Sequence, residues 1–378
     1  MSTAALNVQR LTLREIRLPL REPFVISSGQ VTDRRVLLLE LEDRDGATAW
    51  SECVAMATPN YSPDTLDTCR VAIRQWVAPR ILGQTFPSAD AVYPVLQRDF
   101  RGHNMAKAAV EMGMWGLEAT VTGQSLSDLL GGTRDAIPTG ISLGIQTSSE
   151  VLIEKVQAAL DEGYRKAKIK IKPGADLEPL RAVHRAVGAE AELMADANSA
   201  YTLDDIDHLK RFDELDLMMI EQPLAWDDLR QHAELQRQIT TPVCLDESIT
   251  DRHRAEDMHA LGSGRIVNLK PGRVGGLHES KAIHDFCHAQ HIPLWCGGML
   301  ETGIGRAYNV ALASLPGFDL PGDVSPSARY WAQDIVDPEW TMDQGLVTVP
   351  RDQPGLGVAV DVERIDALTV DREELRAD

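Results

Sequence analysis

The chain has 378 residues, a length that favours two structural units unless a single barrel takes up most of it. Its formal net charge of −19 argues against binding to nucleic acid or to an anionic membrane, because like charges repel. No run of about 18 apolar residues occurs, and the start, MSTAALNVQR, lacks the pattern of a secretion signal. The five cysteines are odd in number and include no CxxC pair, so they indicate buried thiols and a cytoplasmic protein.

The first third of the chain predicts a mixture of strands and helices. Residues 35–42 form a candidate strand, a turn follows at 43–46, and a second short strand runs toward residues 51–53. Apolar residues then recur at helical spacing over residues 62–77 and again over 104–122. Two glycines in the second helical stretch lower its helix propensity but permit close packing.

Short apolar runs alternate with helix-length amphipathic segments beyond about residue 136. This alternation favours parallel strands that close into a barrel, with one helical segment after each strand. An open doubly wound sheet is the alternative, but no GxGxxG motif follows the first run to support it. The runs, of which the last is weak, are residues 141–145, 167–171, 193–196, 217–221, 243–246, 266–270, 292–296 and 318–320.

Charged residues stand at the C-terminal ends of five consecutive runs. They are Lys170, Asp196, Glu221, Asp246 and Lys270, which follow one another at intervals of 26, 25, 25 and 24 residues. One βα unit of a barrel has about this length, so all five side chains are expected at one height on the same rim. Barrel enzymes carry their chemistry on that rim.

The three acids in this series predict a site for a divalent cation. Asp196, Glu221 and Asp246 would repel one another unless a cation lay between them, and buried charges are costly when they lack a partner. Oxygen ligands suit Mg²⁺ or Mn²⁺ better than zinc. The alternative interpretation is that each acid caps the helix that follows its strand.

The two lysines of the series are expected on opposite sides of the barrel mouth, because the strands that carry them are half-way round from each other. Lys168 and Lys170 are two residues apart on a strand and therefore point the same way. Like charges and a nearby cation lower the pKa of an ammonium group, which makes Lys170 a candidate base. The alternative is a basic strand end that faces solvent, together with Lys166 and Lys172.

These residues and their neighbours resemble the enolase superfamily, specifically its muconate-lactonizing-enzyme subgroup. The matching motifs are KIK at 168–170, DAN at 196–198, EQP at 221–223, DES at 246–248 and NLKPGRVGG at 268–276. Within the subgroup, three longer stretches resemble the N-succinylamino acid racemase / o-succinylbenzoate synthase family. They are ECVAMA at 52–57, YRKAKIKIKPG at 164–174 and WCGGMLETG at 295–303. The resemblance covers nearly the whole chain.

The resemblance implies an α/β fold in which a (β/α)₇β barrel, a modified TIM barrel, lies under an α+β capping domain. The expected divisions are residues 1–135 for the cap, 136–325 for the barrel, and 326–378 for a C-terminal segment that packs back on the cap. The implied cofactor is Mg²⁺, with Mn²⁺ or Co²⁺ as substitutes. The implied partners are a small-molecule carboxylate substrate and further copies of the chain, from a dimer to an octamer.

The resemblance also assigns roles to residues. Asp196, Glu221 and Asp246 would bind the metal, and Lys170 and Lys270 would be the acid/base pair, with Lys168 as an auxiliary. The pocket would be lined by Ser142, Asn198, Asn268, Gly298 and Leu300 from the barrel and by Phe24, Met56 and Tyr61 from the cap. The alternative for these three cap residues is an ordinary place in the core.

Two activities follow from this assignment. In an N-acylamino acid racemase, one lysine removes the α-proton and the other returns a proton to the opposite face. In an o-succinylbenzoate synthase, Lys170 would be the base of a syn dehydration and Lys270 would only stabilise charge, and one pocket can support both activities. Arg273, three residues after Lys270, is expected to modulate the proton affinity of Lys270, unless it is a surface arginine in a turn.

Other members of the superfamily match less well. Mandelate-racemase-like enzymes use a histidine on the seventh strand, where this chain has WCGG at 295–298. Dipeptide epimerases place an Asp-x-Asp near that position, and it is absent here. A non-catalytic protein on the same scaffold would be expected to lack at least one of the five charged residues, and all five are present.

Overall fold

The computed structural model describes residues 5–188 and 190–377. Residues 1–4, 189 and 378 lie outside the described residues, and the first four belong to the stretch that was expected to carry no secretion signal.

The cap is built on a four-stranded antiparallel sheet. Its strands are β1 (Val8–Ile26), β2 (Gly29–Asp43), β3 (Thr48–Cys53) and β15 (Thr369–Arg376). The sheet has the order β15–β1–β2–β3, with neighbours antiparallel.

The predicted strands of this sheet are β2 and β3, whereas β1 and β15 were not predicted. The register of the β1–β2 pair shifts between Pro19 and Phe24, which is where the two prolines of β1 lie. Proline cannot donate a ladder hydrogen bond, so within a sheet it occurs mainly at such irregularities and at edges. Beyond the shift, Phe24–Ile26 pairs with Gly29–Val31 and forms the tip of a long hairpin.

The cap helices are α1 (Leu66–Ala72), α2 (Val92–Gln97), α3 (Asn104–Thr122) and α4 (Leu126–Leu130). Helix α3 has the predicted bounds, and its two glycines allow close packing as expected. A Cβ atom on Gly113 would lie 2.6 Å from a methyl group of Leu41, and one on Gly116 would lie 2.5 Å from the hydroxyl of Tyr308. The helix can therefore approach both the cap sheet and a barrel helix.

The barrel contains seven hydrogen-bonded parallel strands in sequential order. They are β5 (Ile141–Leu143), β6 (Ala167–Lys170), β7 (Leu193–Asp196), β8 (Ile220–Glu221), β9 (Val243–Leu245), β10 (Ile266–Leu269) and β11 (Leu294–Cys296). The helices around them are α5 (Ser149–Asp161), α6 (Leu177–Val187), α7 (Ile206–Leu209), α8 (Arg230–Gln236), α9 (Arg252–Leu261), α10 (Pro271–Val274), α11 (Leu277–Ala289) and α12 (Gly303–Ala313). Each strand overlaps the run that predicted it.

The barrel closes through a segment that takes the place of an eighth strand. On one side, the N–H groups of Leu320 and Asp323 donate to the carbonyls of Leu294 (3.2 Å) and Cys296 (2.8 Å) of β11. On the other side, the Gly140 N–H donates to the Gly322 carbonyl at 2.7 Å, next to β5. The weak eighth run therefore lies at the position of the eighth strand. The barrel is closed, so the open-sheet alternative is wrong.

The chain returns to the cap after the barrel. Short strands β12 (Val336–Asp337) and β14 (Ala359–Val360) pair with each other, and β13 (Leu346–Thr348) pairs with β4 (Ala136–Pro138). Helix α13 (Val362–Leu368) leads into β15, which adds to the edge of the cap sheet beside β1. Among the described residues, no helix is both long and apolar enough to cross a membrane.

Candidate active site

Five charged side chains form a buried ring at the carboxyl ends of the barrel strands. Lys170, Asp196 and Glu221 end the adjacent strands β6, β7 and β8 and are register partners. Asp246 and Lys270 directly follow the ends of β9 and β10. All five side chains are buried, with Lys170 the most exposed at 8%. The spacing in the sequence thus places the five residues together on one rim, as expected.

Each acid of the ring is bonded to a different basic or polar group. Asp196 accepts from Lys170 Nζ at 2.5 Å and from its own turn, at the Asn198 N–H. Glu221 accepts through Oε1 from the Asn268 amide at 2.6 Å. Asp246 accepts from Lys270 Nζ at 2.7 Å. None of these hydrogen bonds comes from a backbone N–H at the start of the helix that follows the strand, so the helix-capping alternative is wrong.

The acids differ in how readily they ionise. Burial raises the pKa of Glu221 well above its usual range, and the charge of Asp196 adds to the effect. Burial alone would also raise the pKa of Asp196, but Lys170 and Lys168 outweigh it and lower this pKa. Glu221 Oε2 is buried and accepts no hydrogen bond, and its ion-pair partner is the Lys168 ammonium at 3.2 Å. Glu221 is therefore the carboxylate that most needs an additional positive charge.

This donor set fits a divalent cation in its chemistry and in its register. Three carboxylates on consecutive strands supply the hard oxygen ligands that Mg²⁺ prefers, and one of their oxygens lacks a donor. Within residues 5–188 and 190–377, however, no group of three His, Cys, Asp or Glu side chains is placed closely enough to hold an ion. Each of the three carboxylates lies within ion-pair distance of a lysine, with Lys170 at 2.5 Å from Asp196, Lys168 at 3.2 Å from Glu221 and Lys270 at 2.7 Å from Asp246. A cation at this site would compete with these ammonium groups for the carboxylates.

The lysines on β6 and the one just before it lie inside the protein. Lys168 is 3% exposed, and Lys166, two residues earlier in the chain, is fully buried. The alternative of a basic strand end that faces solvent is therefore wrong for these residues, although Lys172 is exposed. Burial would lower the pKa of Lys168, but Asp323, Glu221 and Asp196 outweigh it and raise this pKa well above its usual value.

On the far side of the mouth, Lys270 shares its carboxylate with an arginine. Arg273 pairs with the other oxygen of Asp246 and donates to the backbone carbonyls of Ile249 (2.7 Å) and Asn268 (2.6 Å). Arg273 is 3% exposed, so the alternative of a surface arginine is wrong. Burial would lower the pKa of Lys270, but the charge of Asp246 outweighs it and raises this pKa.

Tyr61 reaches this side of the ring from the cap. Its hydroxyl donates to Asp246 Oδ1 at 2.9 Å and accepts from Lys270 Nζ at 3.2 Å and from Arg273 Nη1 at 3.3 Å. The Lys270 ammonium also lies 4.5 Å from the centre of the Tyr61 ring. The phenol therefore contacts the charge network directly, which an ordinary core tyrosine would not do.

A cavity of about 230 Å³ lies over the ring, between the cap and the barrel. Lys168, Lys170 and Lys270 line it, and Asp323 and Tyr330 do so as well. The predicted pocket residues that line it are Phe24, Met56, Tyr61, Ser142, Asn198, Gly298 and Leu300. Asn268 differs from the prediction, because it is fully buried behind the cavity wall and its amide donates to Glu221.

A glycine beside the ring is needed for space. A Cβ atom on Gly297 would lie 2.5 Å from Cε of Lys270 and would also overlap the side chain of Asn268. The missing side chain of Gly297 therefore leaves room for the lysine.

Two buried acids near the ring were missed from the sequence. Asp323, on the closing segment, pairs with Lys168 Nζ at 2.5 Å. It lies 53 residues after Lys270, slightly more than the 48–52 residues that two βα units would take at the spacing of the ring, and no apolar run ends at it, so the sequence pattern does not single it out. Glu247 accepts from the Asn198 amide at 3.1 Å, and burial and Asp246 raise its pKa to about 8.

Comparison with known proteins agrees with this architecture. The family model described as "Enolase C-terminal domain-like" matches residues 151–365, and the one described as "Mandelate racemase / muconate lactonizing enzyme, N-terminal domain" matches residues 9–131. The barrel, the cap and these matches define the chain as an enzyme of the enolase superfamily.

Close relatives carry two different names. The chain is 44% identical to the o-succinylbenzoate synthase of Bacillus subtilis (strain 168) over 355 residues, which cover 94% of this chain and 95% of the relative. It is 45% identical to the N-succinylamino acid racemase of an Amycolatopsis species over 364 residues, covering 96% and 98%. The chain therefore belongs to the family that comprises both groups of enzymes.

Solved structures show the same fold. A crystal structure of an enolase-superfamily member from Listeria innocua Clip11262 has a TM-score of 0.95 and 37% sequence identity, covering 99% of this chain and 100% of that one. A dipeptide epimerase from Cytophaga hutchinsonii, described as complexed with Mg and D-Ala-L-Val, has a TM-score of 0.89 and covers 99% and 100%. The epimerase is 20% identical, so its likeness concerns the fold alone.

Proposed function

We propose that the protein is an N-acylamino acid racemase that moves the α-proton of a carboxylate substrate between Lys170 and Lys270. One observation carries this proposal. Lys170 ends the second strand of the barrel and Lys270 follows the sixth, so three strand positions separate them in either direction round the ring. Both lysines line the same cavity. A substrate between them presents one face of its α-carbon to each.

The proton steps follow from this placement. In one direction, neutral Lys170 accepts the α-proton and becomes an ammonium ion, while the ammonium of Lys270 donates a proton to the opposite face. The α-carbon is inverted, and each lysine has exchanged its protonation state. Exchange with solvent restores the starting state, and the reverse direction uses the lysines in exchanged roles. General acid–base catalysis of this kind contributes typically about 10²–10⁴-fold to the rate.

The proposed cation ligands are Asp196, Glu221 and Asp246, for Mg²⁺ with Mn²⁺ or Co²⁺ as substitutes. When bound, such a cation supplies positive charge near the substrate carboxylate, which becomes more negative as the α-proton leaves. The protein's own part is to hold both lysines beside that carboxylate. Lys168, which lines the cavity one position deeper than Lys170, adds a further positive charge as the auxiliary lysine.

The cavity suits an acylated amino acid. Phe24 and Met56 from the cap and Leu300 from the barrel provide apolar wall, while Ser142 and Asn198 supply polar groups. The Ser142 hydroxyl is buried without a hydrogen-bond partner. An N-succinyl or N-acetyl group removes the positive charge of the amine and offers amide atoms to such polar groups. We therefore propose N-acylamino acids as the substrate class.

The second candidate activity is that of an o-succinylbenzoate synthase. In that reaction Lys170 is the base, and Lys270 only stabilises negative charge as an ammonium ion. The raised pKa of Lys270 beside Asp246 favours such a role. Relatives at 44% and 45% identity bear the two names, and we propose that the chain has one or both activities.

A single incubation tests the proposal. The purified protein is mixed with Mg²⁺ and N-succinyl-L-phenylalanine in D₂O, and α-proton exchange and optical rotation are followed together. We expect exchange accompanied by loss of rotation. If the protein neither exchanges nor racemises this compound but dehydrates the precursor of o-succinylbenzoate, the racemase hypothesis is wrong and the synthase hypothesis is supported.

We propose further that residues 1–135 form the cap, 136–325 the barrel, and 326–378 a segment that completes the cap. A cytoplasmic location is supported by the five cysteines, which are all free and buried. A homo-oligomer, from dimer to octamer, is proposed from the family alone. Sedimentation velocity on the purified protein measures that state directly.

A further inference from the structure

The ammonium group of Lys168 lies where three carboxylates meet. Its Nζ atom is 2.5 Å from Asp323 Oδ2, 3.2 Å from Glu221 Oε2 and 3.5 Å from Asp196 Oδ2. The side chains of Lys168 and Asp323 are 3% and 4% exposed, and those of Glu221 and Asp196 are fully buried. Two of these three acids belong to the proposed cation site. Lys168 is therefore close enough to occupy part of the space that a cation would need.

Asp323 approaches Lys168 from outside the ring of ligands. It lies on the closing segment at the eighth strand position, and its N–H is anchored on the Cys296 carbonyl at 2.8 Å. Its second oxygen, Oδ1, lies 3.6 Å from Lys166 Nζ and accepts no hydrogen bond. Lys166 in turn lies 3.6 Å from the centre of the Trp295 ring. The carboxylate is thus fixed by the barrel wall and directed at Lys168.

The Lys168 ammonium and a divalent cation would compete for the same carboxylates. At short range and low dielectric, an ammonium group beside two carboxylates competes with any other cation for them. Its contact with Asp323 is shorter than its contacts with Glu221 and Asp196, so its closest partner is not one of the proposed cation ligands. Without that partner, the same ammonium would be free to move closer to Glu221 and Asp196.

We propose that Asp323 is a positioning residue that holds the Lys168 ammonium and thereby keeps Asp196 and Glu221 available to a divalent cation. This inference rests on the proposed metal site. Partners behind metal ligands commonly tune affinity about 10–100-fold, usually by orienting a ligand. Asp323 would act differently, because it retains a competing cation. Its effect should depend on the presence of Lys168.

The test is a titration with Mn²⁺ in the absence of substrate, in which free Mn²⁺ is followed by electron paramagnetic resonance. Asp323→Asn should weaken Mn²⁺ binding by about tenfold or more. Lys168→Met should bind at least as tightly as the wild type, and the double variant should bind within about threefold of Lys168→Met. Asp176→Asn is the matched control, because it removes a buried carboxylate that is bonded to Tyr201 and His208, outside the ring. We expect its Mn²⁺ affinity to be unchanged.

Each of the following results would contradict the inference or the metal site on which it rests. Wild-type binding by Asp323→Asn, or a double variant as weak as Asp323→Asn alone, overturns the inference while leaving the metal site intact. An altered KM with unaltered Mn²⁺ binding overturns it too, because Asp323 would then act on the substrate. If the wild type itself binds no Mn²⁺, the metal site fails, and this inference with it. If Asp323→Asn does not fold by circular dichroism, Lys168→Met decides, since binding weaker than wild type contradicts competition by the lysine.

Discussion

The two sides of the barrel mouth hold their lysines differently. Lys170 donates to Asp196 and to the side-chain oxygen of Asn198 at 2.8 Å, so a neutral amide completes its surroundings. Lys270 shares Asp246 with the guanidinium of Arg273 and with a phenol from the cap. One lysine is therefore set by barrel residues alone, and the other by a positive charge and by the cap.

Two buried carboxylates of the cap bind the starts of barrel helices near the Lys270 side. Glu111 of α3 accepts from the N–H groups of Leu277 and His278 at 2.7 and 3.0 Å, at the start of α11. Glu52 of β3 accepts from the Thr302 N–H at 3.0 Å, at the start of α12. On the Lys170 side, the hairpin tip contributes the hydroxyl of Ser27 to the Asn198 carbonyl, and its Val25 carbonyl accepts from the Ile145 N–H at 2.9 Å. Because the cap residue Tyr61 contacts Lys270 itself, changes in the cap should affect Lys270 more than Lys170.

The largest expected effect comes from removing each lysine in turn. In Lys270→Ala the rate of racemisation should fall by about 10³-fold or more, because no group then transfers a proton at the face of the α-carbon that Lys270 serves. It should still exchange the α-proton of one enantiomer through Lys170, without inversion. Lys170→Ala should show the converse, with exchange of the other enantiomer only. The measurement is NMR of deuterium incorporation into each pure enantiomer.

This pair of variants can refute the assignment of one lysine to each face of the α-carbon. If both variants exchange the same enantiomer, the two lysines do not serve opposite faces. If neither variant exchanges either enantiomer while both remain folded and bind Mn²⁺, each lysine is needed for every step. In both cases the two-base proposal fails.

The next effect distinguishes racemisation from dehydration. Arg273→Gln removes the charge that shares Asp246 with Lys270, so Asp246 should hold the Lys270 proton more tightly. Racemisation needs Lys270 to accept a proton, so kcat/KM for it should fall by about tenfold or more, equivalent to about 1.4 kcal/mol. Dehydration should fall less. Arg254→Gln, which removes bonds to two backbone carbonyls elsewhere in the barrel, is the control. Equal losses in both reactions would remove the argument for Arg273.

The ring could be predicted from the sequence because five consecutive apolar runs each end in one charged residue. A strand repeats every two residues, so the same rule explains what was missed. Asn268 lies two residues before Lys270 and therefore points inward one layer deeper, where it contacts Glu221 instead of the cavity. Lys166 lies deeper again than Lys168, in the packed interior, and the alternation KAKIKIK alone fits an exposed strand equally well.

Other features depend on contacts between distant parts of the chain. Strand β1 has two prolines and a mixed pattern of charges, and it is stabilised by pairing with β15, about 360 residues later in the chain. The closing segment forms backbone bonds with β11 and with Gly140 but shows little apolar pattern. Asp323 was overlooked for this reason. Pairings of such long range leave no local periodicity to detect.

A smaller effect is expected from the phenol of the cap. Tyr61→Phe removes the hydroxyl that Asp246, Lys270 and Arg273 share but keeps the ring over the ammonium. Loss of one buried hydrogen bond costs about 1 kcal/mol, so kcat for racemisation should fall by about fivefold with KM little changed. Tyr201→Phe, which removes a buried hydroxyl bonded to Asp176, is the matched control. A rise in KM alone would place Tyr61 in substrate binding and not in the charge network.

The smallest effect concerns the attachment of the cap by Glu111. Burial raises the pKa of Glu111 to about 7 from an ordinary value of 4.5. The folded protein therefore binds this proton more tightly than the unfolded chain, so the free energy of unfolding should rise as the pH falls from about 8 to about 5. Glu111→Gln should flatten this dependence by up to about 3 kcal/mol. Thermal melting across that pH range measures it, with the exposed Glu363→Gln as control. An unchanged pH dependence would mean that the backbone N–H groups of α11 stabilise the ionised form enough to offset burial.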